Sequence, residues 1–192
     1  MDPDLSKNIV IIGSGTGGPN ALKVILYNLP KLKASFVIVQ HMSRQLQLKL
    51  TKMMDEITEM DVKLAEKNDE LLEGTIFIAP DGKQLTIKDN YRISFENCDR
   101  DRLECPSIDL TMKSLSVKKD YNILGIILSG IGKDGCEGIE HISSIGGTTI
   151  AQNVSTSIIS HMPENAIDTG EVDFIFRPIA IRSKIIQLFK KG

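Results

Sequence analysis

The chain has 192 residues, 41% of them hydrophobic and 25% charged, which suits one globular domain with a sizeable core and leaves a second core cramped. A formal net charge of -2 removes the electrostatic case for nucleic acid as a partner. No apolar run is long enough to cross a bilayer, and the acidic start Met1-Asp2-Pro3-Asp4 is unlike a secretory signal, so a cytoplasmic protein with no direct membrane insertion is expected.

Short β-branched runs alternate with longer amphipathic stretches, which predicts an α/β fold: a doubly wound, mainly parallel sheet in one three-layer domain spanning residues 1–192. The first run, Asn8-Ile9-Val10-Ile11-Ile12, is apolar throughout, as a strand buried on both faces must be. A glycine turn follows from Gly13 to Gly18, and Pro19 opens a helix carrying Ala21, Leu22, Ile25, Leu26 and Leu29 at helical spacing, with Pro30 as its stop. Phe36-Val37-Ile38-Val39 is the second buried strand and delivers Gln40 and His41 to its carboxyl end. Residues 46–60 read as an amphipathic helix, 62–65 as a short strand, and 75–79 as another strand closed by Pro80-Asp81-Gly82. Residues 84–87 and 92–95 alternate around Asp89-Asn90, which predicts an antiparallel hairpin.

After a polar loop over residues 96–106, Ser107 caps a helix running through Leu115. Residues 123–128 form the clearest buried strand, followed by the loop Ser129-Gly130-Ile131-Gly132-Lys133-Asp134-Gly135 and a helix from Glu137. A strand at 148–151, a helix at 163–168, a strand at 174–176 and a last helix over 181–189 with basic residues toward its end complete the pattern. Cys98, Cys105 and Cys136 lack metal-ligand spacing, and histidines number only three. The expectation is therefore three reduced thiols, with neither metal nor cofactor.

In a doubly wound sheet, ligands gather outside the carboxyl ends of the strands. Three loops of this sequence end there: the Gly13–Gly18 turn, Gln40-His41-Met42, and the loop carrying Asp134. A turn of small residues opening a helix presents N–H groups and a positive dipole end to an oxyanion or phosphate, and a histidine beside an acid makes a base with its orienting carboxylate. Each feature alone also has a plainer meaning, as packing glycines, a surface histidine or a turn aspartate. It is their joint placement that points to acyl transfer.

Ile12-Gly13-Ser14-Gly15-Thr16-Gly17-Gly18-Pro19 resembles the nucleophile turn of the CheB-type protein-glutamate methylesterases. Val37-Ile38-Val39-Gln40-His41-Met42 resembles their histidine segment, and residues 127–135 their aspartate loop. Phe77-Ile78-Ala79-Pro80, Pro106-Ser107-Ile108-Asp109 and Met162-Pro163 extend the resemblance over nearly the whole chain. It implies a serine-hydrolase catalytic domain acting on glutamyl methyl esters of chemoreceptor cytoplasmic helices, with glutamine deamidation in some members. The family's N-terminal receiver domain is not seen, so control by phosphorylation is not implied.

Carried over by position, the resemblance makes His41 the base, Asp134 its orienting carboxylate and the Thr16 N–H an oxyanion donor. Ile131 stands where the family often has Met. Gly15 occupies the nucleophile position, where a serine is expected, so the chain is read as catalytically impaired, with Ser14 as a substitute nucleophile only if the turn is remodelled. Two other readings stay open: a receptor-binding relative without turnover, and a dinucleotide-binding domain, because Gly13-x-Gly15-x-x-Gly18 also fits that fingerprint. The fingerprint expects an acid at the end of the second strand, where this chain has Gln40-His41, with Arg44 nearby. Arg100 and Arg102, in the 97–105 loop, are a candidate border for an acidic receptor helix, or simply part of a solvated loop.

Overall fold

In the computed structural model, residues 5–98, 104–116 and 120–190 are described; Arg100, Arg102 and the first four residues lie outside them. Nine strands are recognised among the described residues: β1 (Asn8–Ser14), β2 (Ser35–Gln40), β3 (Asp61–Leu64), β4 (Thr75–Ile78), β5 (Gln84–Ile87), β6 (Ile93–Glu96), β7 (Asn122–Ile127), β8 (Thr148–Gln152) and β9 (Phe174–Phe176). The helices are α1 (Gly18–Leu26), α2 (Arg44–Ile57), α3 (Ile108–Lys113), α4 (Cys136–Ser144), α5 (His161–Asp168) and α6 (Pro178–Phe189).

Seven strands form a parallel sheet in the order β3-β4-β2-β1-β7-β8-β9, and β5 with β6 makes a separate antiparallel hairpin. The strand order reverses at β1, whose neighbours are β2 on one side and β7 on the other. The crevice of a doubly wound fold opens at that switch point.

Period-2 alternation sorts the strand residues into two cores. Val10, Ile12, Phe36 and Ile38 pack with Leu22, Ile25, Met54, Ile181 and Ile185, on the side of α1, α2 and α6. Ile9, Ile11, Val37 and Val39 pack with Ile108, Met112, Ile139, Met162 and the hairpin residues Leu85 and Ile93, on the side of α3, α4 and α5. The α/β class and the hairpin follow from the sequence pattern.

Several boundaries differ from the sequence reading. The first helix stops at Leu26, before Leu29 and Pro30, because Tyr27 leaves helical geometry and Asn28 turns left-handed (φ 48°) to donate its N–H to Ile57 O. Leu29 is still fully buried, delivered by the turn rather than by the helix. The last helix carries no basic residue in its final turn, since it ends at Phe189 with Lys190 as its cap. The three-thiol expectation is also corrected: Cys98 and Cys105 are joined as a disulfide with Cα atoms 5.9 Å apart, and only Cys136 is free. Spacing along the chain carries no information on that fold-back.

Candidate active site

Register decides which side chains share a face at the end of the sheet. Ser14 pairs with Gln40 across β1 and β2, and both continue the face turned to α1, α2 and α6. Position 15 and His41 come next along their strands and so fall on the opposite face, toward Met162 and α3. Ser14 is fully buried, its Oγ occupies the space that a Cβ on Gly18 would need, and it has no hydrogen-bond partner. The structure therefore holds Ser14 on the far side of the sheet from His41. The substitute-nucleophile expectation has no geometric support, because β1 alternation is kept to its last residue.

The turn after β1 is fixed by its neighbours. Gly15 N donates to Ser129 O at 2.9 Å, Leu128 N to Gly13 O at 2.9 Å, and Gly18 N to Gly15 O at 3.0 Å. The Gln40 amide donates to Gly15 O at 2.9 Å and also lies 3.2 Å from His41 O. Ser129 Oγ sits 2.8 Å from Thr16 O and 2.9 Å from Ile159 O, and accepts the Ile159 N–H at 2.9 Å. Gly17 has φ 85°, a conformation that strains any L side chain, and a Cβ there would lie 2.6 Å from Ser129 Oγ.

Gly15 has no such backbone constraint. A Cβ at this position would meet Gly130 Cα at 3.0 Å, Met162 Sδ at 3.2 Å and Ile131 N at 3.6 Å. Among the described residues, the N–H groups of Thr16 and Ile131 have no acceptor. Two open donors thus flank position 15, one from each of the turns that meet at the switch point. The Ile131 donor was missed in the sequence, where that residue was noted only for its side chain, standing where the family often has Met.

His41 Nε2 stands 3.0 Å from Asp134 Oδ2, with the His41 side chain 21% and the Asp134 side chain 6% exposed. The two atoms are in polar contact without in-line hydrogen-bond geometry, and Nε2 has no other partner. Asp134 also accepts the Ile108 N–H at 2.7 Å, the Asp109 N–H at 3.0 Å and the Ser107 hydroxyl at 3.0 Å. Its carboxylate thus closes the first turn of α3, where N–H groups are otherwise unmet. Burial pushes its pKa up, but the contact with His41 and the donations from Asp109 and Ile108 outweigh burial and hold it below the ordinary carboxylate value.

Asp109 answers from the other side: one oxygen accepts Gly135 N–H and Gly138 N–H, each at 2.8 Å, at the start of α4. Burial, with Asp134 close by, raises its carboxyl to about 6 against the pull of those N–H groups. Burial and the nearby acids also raise the Cys136 thiol to about 11, so it is uncharged near neutrality and no ready nucleophile. Among the described residues, no group of three His, Cys, Asp or Glu side chains is placed to hold a metal ion. The end of β2, where a dinucleotide site needs an acid, holds the buried Gln40 clamp and His41.

A doubly wound sheet with a histidine–carboxylate contact at its switch point, beside N–H donors that lack acceptors, is an arrangement of the hydrolase kind. The comparisons with known proteins narrow the class. The CheB methylesterase family model matches residues 10–185. The protein-glutamate methylesterase/protein-glutamine glutaminase of Thermotoga maritima is 35% identical over 190 residues, covering 97% of this chain and 55% of the relative. A Carboxydothermus hydrogenoformans relative of the same description is 36% identical over 186 residues, covering 93% and 54%. The solved Thermotoga maritima CheB methylesterase catalytic domain superposes with a TM-score of 0.85 at 33% identity, covering 94% of this chain and 97% of that one. The chain belongs to the CheB methylesterase family. It spans about half the length of the curated relatives it matches.

Proposed function

We propose that this chain is a protein-glutamate methylesterase domain whose acyl-enzyme route is closed by Gly15. The observation that carries the reading is the 3.0 Å contact between His41 and Asp134, on the same face of the sheet as position 15. The relatives' descriptions supply the substrates: a glutamyl methyl ester and, by deamidation, a glutamine side chain.

In the complete form of this chemistry, a serine at position 15 attacks the ester carbonyl and a histidine takes its proton. With Nε2 of His41 against Asp134, Nδ1 is the ring nitrogen left for that transfer. The N–H groups of Thr16 and Ile131 receive the oxyanion, and the imidazolium returns the proton to the departing methanol. A water then hydrolyses the glutamyl-serine ester to free the carboxylate and the serine. Gly15 supplies no oxygen, so no acyl-enzyme forms and only water can attack, helped chiefly by the N–H donors and substrate binding. In a comparable triad, loss of the serine costs about 10⁶ in turnover and leaves roughly 10³–10⁴ over the uncatalysed rate.

The partner is a methylated chemoreceptor helix in the cytoplasm; among the described residues no helix is long and apolar enough to cross a membrane. One observation favours a second reading, a receptor-binding relative without turnover: the two open N–H groups stand beside a position that has no side chain.

Methanol release from methylated receptor separates these readings. Gly15→Ser is expected to raise the rate by on the order of 10³-fold or more. Because the new Cβ presses on Gly130, the substitution also costs about 1 kcal/mol, eased by the flexible Met162 side chain. No gain in a folded Gly15→Ser protein moves the conclusion to the binding reading. Ordinary serine-esterase rates in the unaltered chain refute impairment.

A further inference from the structure

The Pro106-Ser107-Ile108-Asp109 segment resembles the family pattern, yet the chemistry above uses only the backbone N–H groups and serine hydroxyl that grip Asp134. The Asp109 carboxylate itself is left over, although it is mostly buried next to the site. Its two acceptor contacts run to Gly135 and Gly138, the residue after Asp134 and one turn further on. Asp134, in return, receives the Asp109 N–H. Each aspartate therefore caps the helix that the other one begins, across 25 residues of sequence.

We infer that Asp109 is a positioning residue for Asp134: the reciprocal capping fixes the loop so that the Asp134 carboxylate faces His41 rather than solvent. The inference rests on reading His41 and Asp134 as base and orienting carboxylate. Two features make the arrangement more than ordinary helix capping. A single Asp109 oxygen holds both amides, so losing its acceptor strength frees two N–H groups at once. Gly135 also has φ 107°, so the loop's turn into α4 is made by a residue with no side chain to stiffen it, and the carboxylate opposite supplies that restraint.

The groups that face Asp109 are few. Asp134 is its neighbour and leads on to His41 at the end of β2, and Cys136 comes from α4, with Glu140 and Lys133 acting on that thiol in turn. On its own helix Lys113 is paired with Glu137 of α4. With a carboxyl raised to about 6, protonation weakens the grip on both amides.

The test has two arms. In the unaltered chain, which needs no esterase activity, the amide protons of Gly135 and Gly138 are followed by NMR from pH 4 to 8. They are expected to titrate together with a midpoint near 6, to lose protection from exchange in Asp109→Ala, and to keep most of it without titrating in Asp109→Asn, which retains an acceptor oxygen. In the Gly15→Ser protein, Asp109→Ala is expected to lower kcat by on the order of 10²-fold with KM nearly unchanged, since a carboxylate displaced by about 1 Å costs that much. Asp109→Asn is expected to keep kcat within about fivefold while flattening the acid side of its pH profile. Amides that ignore both pH and Asp109→Ala overturn the inference, as does unchanged kcat in Asp109→Ala. Should Gly15→Ser be inert, the esterase reading falls, and the amides alone decide whether Asp109 holds the loop.

Discussion

The two halves of the site are built differently. On the carboxylate side, Asp134 receives two backbone N–H groups and a hydroxyl besides its contact with His41, and almost none of its side chain is exposed. On the attacking side, position 15 has a backbone pinned by Ser129 and Gln40 but no functional atom. The support is complete where a proton would be managed and empty where a bond would form. A scaffold can thus retain the costly part of an active site, the desolvated and oriented charge, while the cheap part, one hydroxyl, is missing.

Removing the supported half sharpens the contrast most. In the Gly15→Ser protein, Asp134→Asn is expected to lower turnover by on the order of 10³–10⁴-fold, because the imidazole loses its orienting charge. In the chain with Gly15 the same substitution is expected to change methanol release little. A large loss there would mean that the His41–Asp134 pair already drives hydrolysis through water, and the two halves would not be separable.

A smaller effect concerns pH and stability, followed as the urea midpoint from pH 3 to 8. The folded pKa of Asp134 is lowered, so its contribution is present above the unfolded value of about 4 and is lost as pH falls below it. The folded pKa of Asp109 is raised to about 6, so the native state binds the extra proton and stability declines as pH rises between about 4 and 6. Asp109→Asn is expected to abolish the second slope and leave the first. A midpoint that climbs from pH 4 to 6 in the unaltered chain contradicts this assignment.

The smallest effect is expected at Ser14. Its buried hydroxyl has no partner, so Ser14→Ala should be neutral or stabilising by up to about 1 kcal/mol in thermal unfolding, and should leave Gly15→Ser activity untouched. Loss of that activity would give Ser14 a role that its place on the other face of the sheet denies it.

Much of the fold was legible because the two periodicities are local. Buried runs such as 123–127 marked the parallel strands, and the strand-to-loop junctions at Gly13, Gln40 and Leu128 placed three loops at one edge. The same alternation bears on Ser14 and position 15. What stayed hidden depends on contacts between distant segments. The Gln40 clamp on Gly15 spans 25 residues, the paired caps of Asp109 and Asp134 likewise 25, and the Cys98–Cys105 bond has no signal in the spacing of the three cysteines. Ser107 was the one part of the carboxylate support with a local signal, as a helix cap; that its hydroxyl also serves Asp134 had none.

The Gln40 amide has a wider consequence. This side chain, reaching over from the adjoining strand, orients the peptide at residue 15, so the turn is held by a contact that does not involve the side chain standing there. Disarming and rearming the domain are then largely a matter of one side chain on a held mount, with a small give at Gly130 and Met162. The same mount makes residue 15 a natural place to seat other small reactive groups, a thiol among them, beside His41 and the two open N–H donors.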